Sequence, residues 1–248
     1  MRLRRAGLHA LLVIFVLACW EGYVRSGLGR AIVVSRPSDV LPEMMTIGRD
    51  PESWQAIGTT ALGVGVGMGL GLVIGVVAAV TLSRSELVRR AIDPVLMAFY
   101  TVPRLALIPL FIVWFGTGLA SSIVVVFSQA VIVFLLSTYA SLDNVDDASA
   151  SSMRLMGARP WMLLRCLYVP NALPFLFSAF RQALALGLGA AIIAEMFGTL
   201  GGVGARMAVA LARFDMTEVL GWVIVTALLA LVLDIVSSLL EKRMIRWR

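Results

Sequence analysis

The chain has a single lysine, Lys242, a single histidine, His9, and two cysteines, Cys19 and Cys166. Each scarcity removes a class of chemistry. Lys242 is followed by Arg243, so no phosphate-binding loop of the GxxxxGK[ST] kind is present, and the chain is not expected to hydrolyse ATP by itself. His9 and the two cysteines form no cluster with metal-ligand spacing, and no Ser–His or Cys–His arrangement can be completed from one histidine in an apolar run. Cys19 and Cys166 fall on opposite sides of the membrane in the topology below, which argues against a disulfide. Charged residues are also few, at 15%, whereas hydrophobic residues make up 60% and the mean hydropathy is +0.92.

Soluble domains sit nearer 45–50% apolar. Several runs here are long enough to cross a bilayer core, which takes roughly 20 apolar residues as helix. The expected class is an all-α integral membrane protein with about six spans, at 8–24, 56–82, 99–115, 119–139, 172–197 and 219–240. Pro103 and Pro109 are expected to bend the start of the third span, with neighbouring helices satisfying the freed carbonyls. The segment 25–55, with SRPSDVLPEM, reads as an extramembrane loop. The N-terminus resembles a signal peptide, and VLAC at Cys19 a lipoprotein cleavage site. The spans that follow favour an uncleaved first helix instead. The pI of about 10.1 reflects cytosolic loops rather than nucleic acid. With both termini inside, thirteen basic residues fall on cytosolic segments and six on external ones, leaving Arg104 and Arg181 at the membrane boundary. The positive-inside rule therefore predicts a multi-pass plasma (inner) membrane protein with cytosolic termini.

GVGVGMGLGLVIG (63–75) is not a nucleotide loop, because its glycines all fall on odd positions. Gly63, Gly67, Gly71 and Gly75 are four apart, on one helix face, where small residues let another membrane helix approach. Ionisable groups inside spans are costly and informative. Arg181 and Asp234 have similar depths and either pair with each other or reach the interface separately. Glu195, before GTLGGVG, fits either a path-lining carboxylate or an interface cap. Gln129 and Ser128 lie mid-span, where polar groups either hold helices together or meet solute.

The stretch DDASASSMRLMGARPWMLLRCLYVPNALP (146–174) is a polar interruption with helical spacing. Asp146 and Asp147 suit a helix start, Gly157 a helix end, and Pro160 the first turn of a second helix, which Pro170 and Pro174 should end. Such a cytosolic corner either docks on a partner or lies on the lipid surface.

This stretch resembles the cytosolic loop of binding-protein-dependent ABC transporter permeases, whose pattern is E-A-A, three residues, G, nine residues, I, one residue, L-P. Here it reads Ser151-Ser152-Met153, three residues, Gly157, nine residues, Leu167, Tyr168, Val169-Pro170, with Ser151 in place of the acid. DPVLMAFYTVPRLALIPLFIVWFGTG (93–118) and VPNALPFLFSAFRQALALGLGAAIIAEMFG (169–198) are similar to the nitrate/sulfonate/taurine branch, and the likeness covers roughly residues 36–248. It implies a type I ABC importer permease fold, with residues 1–55 as an N-terminal helix and external loop and 56–248 as a five-helix permease domain holding a coupling loop at about 140–171. It further implies a second permease subunit, forming a homodimer, two cytosolic ABC ATPases that bind the ATP, an extracytoplasmic solute-binding protein, and no cofactor on this chain. By the same resemblance Ser151, Ser152, Met153, Arg154, Leu155, Met156, Gly157, Leu167 and Pro170 would couple to the ATPase. The solute would be a small anion such as a sulfonate, taurine or nitrate, though related members carry pyrimidine vitamin precursors. The alternative from another class is an ion-gradient-driven secondary transporter without an ATPase. An intramembrane enzyme lacks the His, Cys and mid-span Asp it would need.

Overall fold

The computed structural model describes residues 2–27, 35–198 and 201–245. The side chains of Arg2, Arg4, Arg5 and His9 lie outside the described residues, as do Arg30, Arg246 and Arg248. The described chain is helical: α1 (Arg2–Arg25), α2 (Pro37–Arg49), α3 (Pro51–Leu82), α4 (Glu86–Thr101), α5 (Ile108–Phe115), α6 (Leu119–Asp143), α7 (Asp147–Leu155), α8 (Pro160–Leu163), α9 (Val169–Gly198), α10 (Val203–Ala212) and α11 (Met216–Met244). A tight 3-10 turn at Arg104–Leu107 leads into α5, and a wide π turn at Leu164–Tyr168 joins α8 to α9. Among the described residues four helices are long and apolar enough to cross a membrane, five if the bent pair Leu87–Thr101 and Arg104–Phe115 is one span. The first expected span lies within α1.

The centre is a three-helix core of α3, α6 and α9. In lipid no hydrophobic force drives helices together, so close backbone approach has to supply the attraction. The α3 glycines make that approach possible. A methyl group built on Gly67 would sit 2.7 Å from Val126 Cβ, one on Gly71 2.6 Å from Ala130 Cβ, and one on Gly75 2.6 Å from the Val131 carbonyl oxygen. Gly63 faces Ser122 in the same row. On α9 the small side chains Ala179, Ala183 and Ala191 close the third side, with Val126, Phe134 and Leu188 filling the middle. Ile108 of α5 is fully buried against Val125, Ala190 and Ala194.

Three elements differ from the sequence expectation. The 25–55 segment is not all loop. Pro37 opens α2, a position where its missing N–H is no loss. Val40 and Ile47, two turns apart, are buried, and Ile47 packs on Trp222 of α11. The third span is broken rather than bent at its start. Helix α4 runs to Thr101, Val102 takes the extended backbone that a residue before proline prefers, and the chain resumes at an angle of 75°. Pro109 sits harmlessly in the first turn of α5. Finally, Pro170 and Pro174 do not end the second corner helix, which continues from Pro160 to Gly198 as one candidate span. The π turn explains this. Val169 N–H donates to the Leu164 carbonyl, one residue further back than in an α-helix, so the wider turn takes up Pro170 without a break.

Candidate functional site

The corner between α6 and α9 is built by local chemistry. Asn144 ends α6, its Nδ2 donating to the Ala140 carbonyl at 2.8 Å. Asp146 then caps α7, accepting from Ala148 N, Ser149 N and, at 2.7 Å, the Ser149 hydroxyl. Those donors, the Ser149 hydroxyl foremost, hold its carboxyl below the usual range. At the other end Gly157 has φ +83°, the left-handed conformation that glycine adopts without strain. It lets Ala158 N–H donate to Met153 O at 2.9 Å and Gly157 N–H to Arg154 O at 3.0 Å, a Schellman closure. Asn171 Nδ2 donates to the Ser141 carbonyl at 2.6 Å and ties α9 back to α6.

The corner is thus a short helix capped at both ends. Of its side chains Ala150 is buried, whereas Leu155 is 89% and Met156 79% exposed. Ser151, Ser152 and Arg154 are also exposed, and Met153, Leu167 and Pro170 are half-buried. A shallow cleft of about 630 Å³ beside the corner is lined by Gly157, Arg159, Trp161, Met162, Arg165 and Cys166. Arg89 of α4 grips Asp143 through both terminal nitrogens and lies over the Tyr139 ring at 5.0 Å, fixing the end of α6 from which the corner departs.

Arg181 meets Asp234 at 3.5 Å, one of the two arrangements their depth allows, but its shorter contacts are with two residues that depth alone did not single out. Nη2 donates to Glu241 Oε2 at 2.5 Å and to Ser238 Oγ at 3.0 Å. Each partner is partly exposed, so the Asp234 contact is weak. Removing Asp234 as Ala is expected to move the thermal midpoint little, and Glu241→Ala more. Exchanging Arg181 and Asp234 should not restore stability, because Glu241 would then face an acid. Full recovery by the exchange in thermal unfolding would reverse that ranking.

At the opposite end Glu195 is 2% exposed. Its Oε2 accepts from the Thr60 hydroxyl at 2.8 Å and from Gly204 N at 3.0 Å, while Thr60 Oγ1 accepts from Val203 N at 2.9 Å. The carboxylate therefore anchors the first turn of α10 to α3. A Cβ on Gly202 (φ +101°) would strike that carboxylate, and one on Gly204 the Ile192 carbonyl. Above it opens a cleft of about 700 Å³ whose lining includes Glu52, Gln55, Thr59, Arg206 and Arg213. Arg206 is bonded to Glu52 at 2.7 Å.

Arg104, placed at the membrane boundary by charge counting, reaches inward. Its Nη1 donates to Gln129 Oε1 at 3.1 Å and its Nη2 to the Phe99 carbonyl at 2.9 Å. Gln129 is 9% exposed on α6, and Ser128 bonds its own helix at the Val125 carbonyl. The sequence signal for this contact is the Val-Pro-Arg step itself, a proline break carrying a cation within an apolar segment.

The family described as binding-protein-dependent transport system inner membrane component matches residues 71–246. The taurine transport system permease protein TauC of Escherichia coli (strain K12) is 24% identical over 238 residues, covering 94% of this chain and 86% of that one. The riboflavin transport system permease protein RibX of Chloroflexus aurantiacus is 33% identical over 158 residues, 64% of this chain and 59% of RibX. The putative aliphatic sulfonates transport permease protein SsuC of Bacillus subtilis (strain 168) is 29% identical, covering 96% and 86%. Among solved structures, the inward-facing MetNI methionine ABC transporter matches with TM-score 0.61 at 22% identity, over 83% of this chain and 97% of that one. A bacterial ABC transporter that imports alginate matches with TM-score 0.65 at 14% identity, over 97% and 96%. These two likenesses concern the fold.

Proposed function

Because the chain belongs to the binding-protein-dependent transport system inner membrane components, we propose that it forms half of a gated path for a small anion of the sulfonate or taurine type. Its coarser role follows from membership: it is the multi-pass permease subunit of an ABC importer, and ATP hydrolysis resides on a separate chain. The ion-gradient alternative falls with that assignment. The finer reading has a second copy of this chain completing the path, two ATPases beneath it, and a solute-binding protein outside, with both termini in the cytosol.

The observation that carries this reading is the capped corner helix. Its end leaves Leu155 and Met156 largely exposed among the described residues. Rigid exposed apolar anchors suit a groove on a partner. Opening of the path is then a population shift, driven by ATP and solute only so far as each binds one state better than the other. A solute bearing an anionic sulfonate group fits the relatives named for taurine and aliphatic sulfonates. RibX, named for riboflavin transport, widens the field.

The cognate binding protein decides the solute. At a hundred times its Kd a ligand stabilises its receptor by about 2.7 kcal/mol, several degrees of melting temperature for a small domain. Taurine or an alkanesulfonate is expected to raise the melting temperature of that binding protein. Stabilisation only by uncharged or cationic solutes would overturn the anionic reading.

A further inference from the structure

Among the described residues no carboxylate oxygen pairs with Arg104, whereas Arg25, Arg89 and Arg206 each pair with one carboxylate and Arg181 with two. Two of its five N–H groups reach protein acceptors, both neutral. Its position makes that costly. At about 1.5 Å per residue Gln129 stands roughly 15 Å from the Leu119 end of α6 and roughly 21 Å from the Asp143 end, close to the middle of a hydrocarbon core ~30 Å thick. A guanidinium is permanently charged, so it cannot escape the cost by losing a proton. A lone cation at that depth is held for function or is stabilised by an anion from elsewhere.

The backbone beside it points the same way. The Arg104 side chain leaves from the break between α4 and α5, where the chain turns through 75°. Non-helical backbone at membrane depth is tolerated where it is enclosed by protein or lines a watered cavity. Broken helices of this kind form solute sites in transporters of other folds. Here the break aims a cation at Gln129, whose carbonyl oxygen is already donated to and whose amide N–H groups remain to meet an acceptor. We infer that Arg104, held by Gln129 and the Phe99 carbonyl, is a mid-membrane station for an anionic solute. The class that fits is a small sulfonate or carboxylate, which a guanidinium can bind with two parallel N–H bonds.

This inference rests on the anionic reading above, and its experiment separates the two. The complete transporter, with its ATPase and binding protein, is reconstituted in liposomes, and uptake of ethanesulfonate is measured. Arg104→Gln is expected to lower uptake roughly tenfold or more, a loss of charge-assisted contact, with Arg104→Lys recovering part of it because it keeps the charge but not the planar fork. Gln129→Glu is the decisive variant. It supplies an internal carboxylate of nearly equal shape, so the protein should melt no lower than wild type yet import as poorly as Arg104→Gln. A structural role predicts the same stability for Gln129→Glu but with uptake intact. Wild-type uptake in Arg104→Gln or in Gln129→Glu would overturn the station. If the binding protein takes another anion instead, the sulfonate assignment alone fails and the same variants are run with that anion. An uncharged or cationic cargo overturns both.

Discussion

Replacing Gly71 by leucine is expected to abolish the folded protein, while Gly69→Ala two residues away leaves it as stable or more so. The two glycines share one helix and nearly one depth, but Gly71 is buried against α6 and Gly69 is exposed. What differs is the neighbour. A Cβ on Gly71 would lie 2.6 Å from Ala130 Cβ, 3.0 Å from Val131 N and 3.1 Å from the Ala130 carbonyl carbon. Two of those atoms are α6 backbone, which cannot rotate aside as a side chain would. Even modest overpacking costs about 1–3 kcal/mol, and a leucine here would separate α3 from α6 along their whole contact. The row Gly63, Gly67, Gly71, Gly75 would open together, and with it the α9 face that rests on Val126 and Phe134. A Cβ on Gly69 meets nothing within 4 Å, and removing a helical glycine gains about 0.5–1 kcal/mol. Thermal unfolding of the two purified variants in detergent checks this. A well-folded Gly71→Leu protein would mean that the helices are held by something other than their closeness.

This row was legible from spacing alone, since four-residue periodicity survives any tertiary arrangement. So were the long apolar helices, whose length is set by the bilayer, and the Gly157 corner, whose backbone reversal needs no distant partner. What the sequence concealed depends on contacts far apart in the chain. Thr60 and Glu195 are 135 residues apart, and only their meeting turns Glu195 into the anchor of α10. Glu241 outcompetes Asp234 for Arg181 because α11 presents both to it, seven residues apart on one face. Proline misled in both directions. Pro37 starts a helix that its neighbours Pro42, Ser38 and Asp39 disguised as a loop, although the seven-residue spacing of Val40 and Ile47 marked a buried face. Pro170 and Pro174 pointed to an end that the π turn absorbs. Arg104 was assigned to the boundary because charge counting weighs side but not reach, and an arginine at a break extends well beyond its own Cα.

Changing Leu155 and Met156 together to aspartate is expected to lower association with the ATPase about a hundredfold, and solute uptake with it, without unfolding the permease. The stability half follows from exposure: at 89% and 79%, neither side chain has packing to lose. The association half follows from what an interface anchor contributes, commonly 2 kcal/mol or more for a central one, and about 2.7 kcal/mol is a hundredfold in Kd. The alternative, in which the corner lies on the lipid surface, predicts another pattern. Two carboxylates would then weaken attachment of the corner to anionic lipid and leave ATPase binding unchanged. Pull-down of the ATPase by wild-type and doubly substituted permease, with thermal unfolding beside it, separates these outcomes. Gly157→Ala tests the same surface from the backbone. A residue with a Cβ at φ +83° costs about 1–2 kcal/mol, enough to loosen the Schellman closure and let Leu155 and Met156 wander, so uptake should fall although no contact atom has been removed. Ser151→Glu, which restores the acid of the related loop pattern, is expected to tighten association only slightly, because an exposed pair contributes about 0–1 kcal/mol. A large gain from Ser151→Glu with no loss from the aspartate pair would move the seat of docking from the apolar end of α7 to its middle, where charge rather than shape would decide.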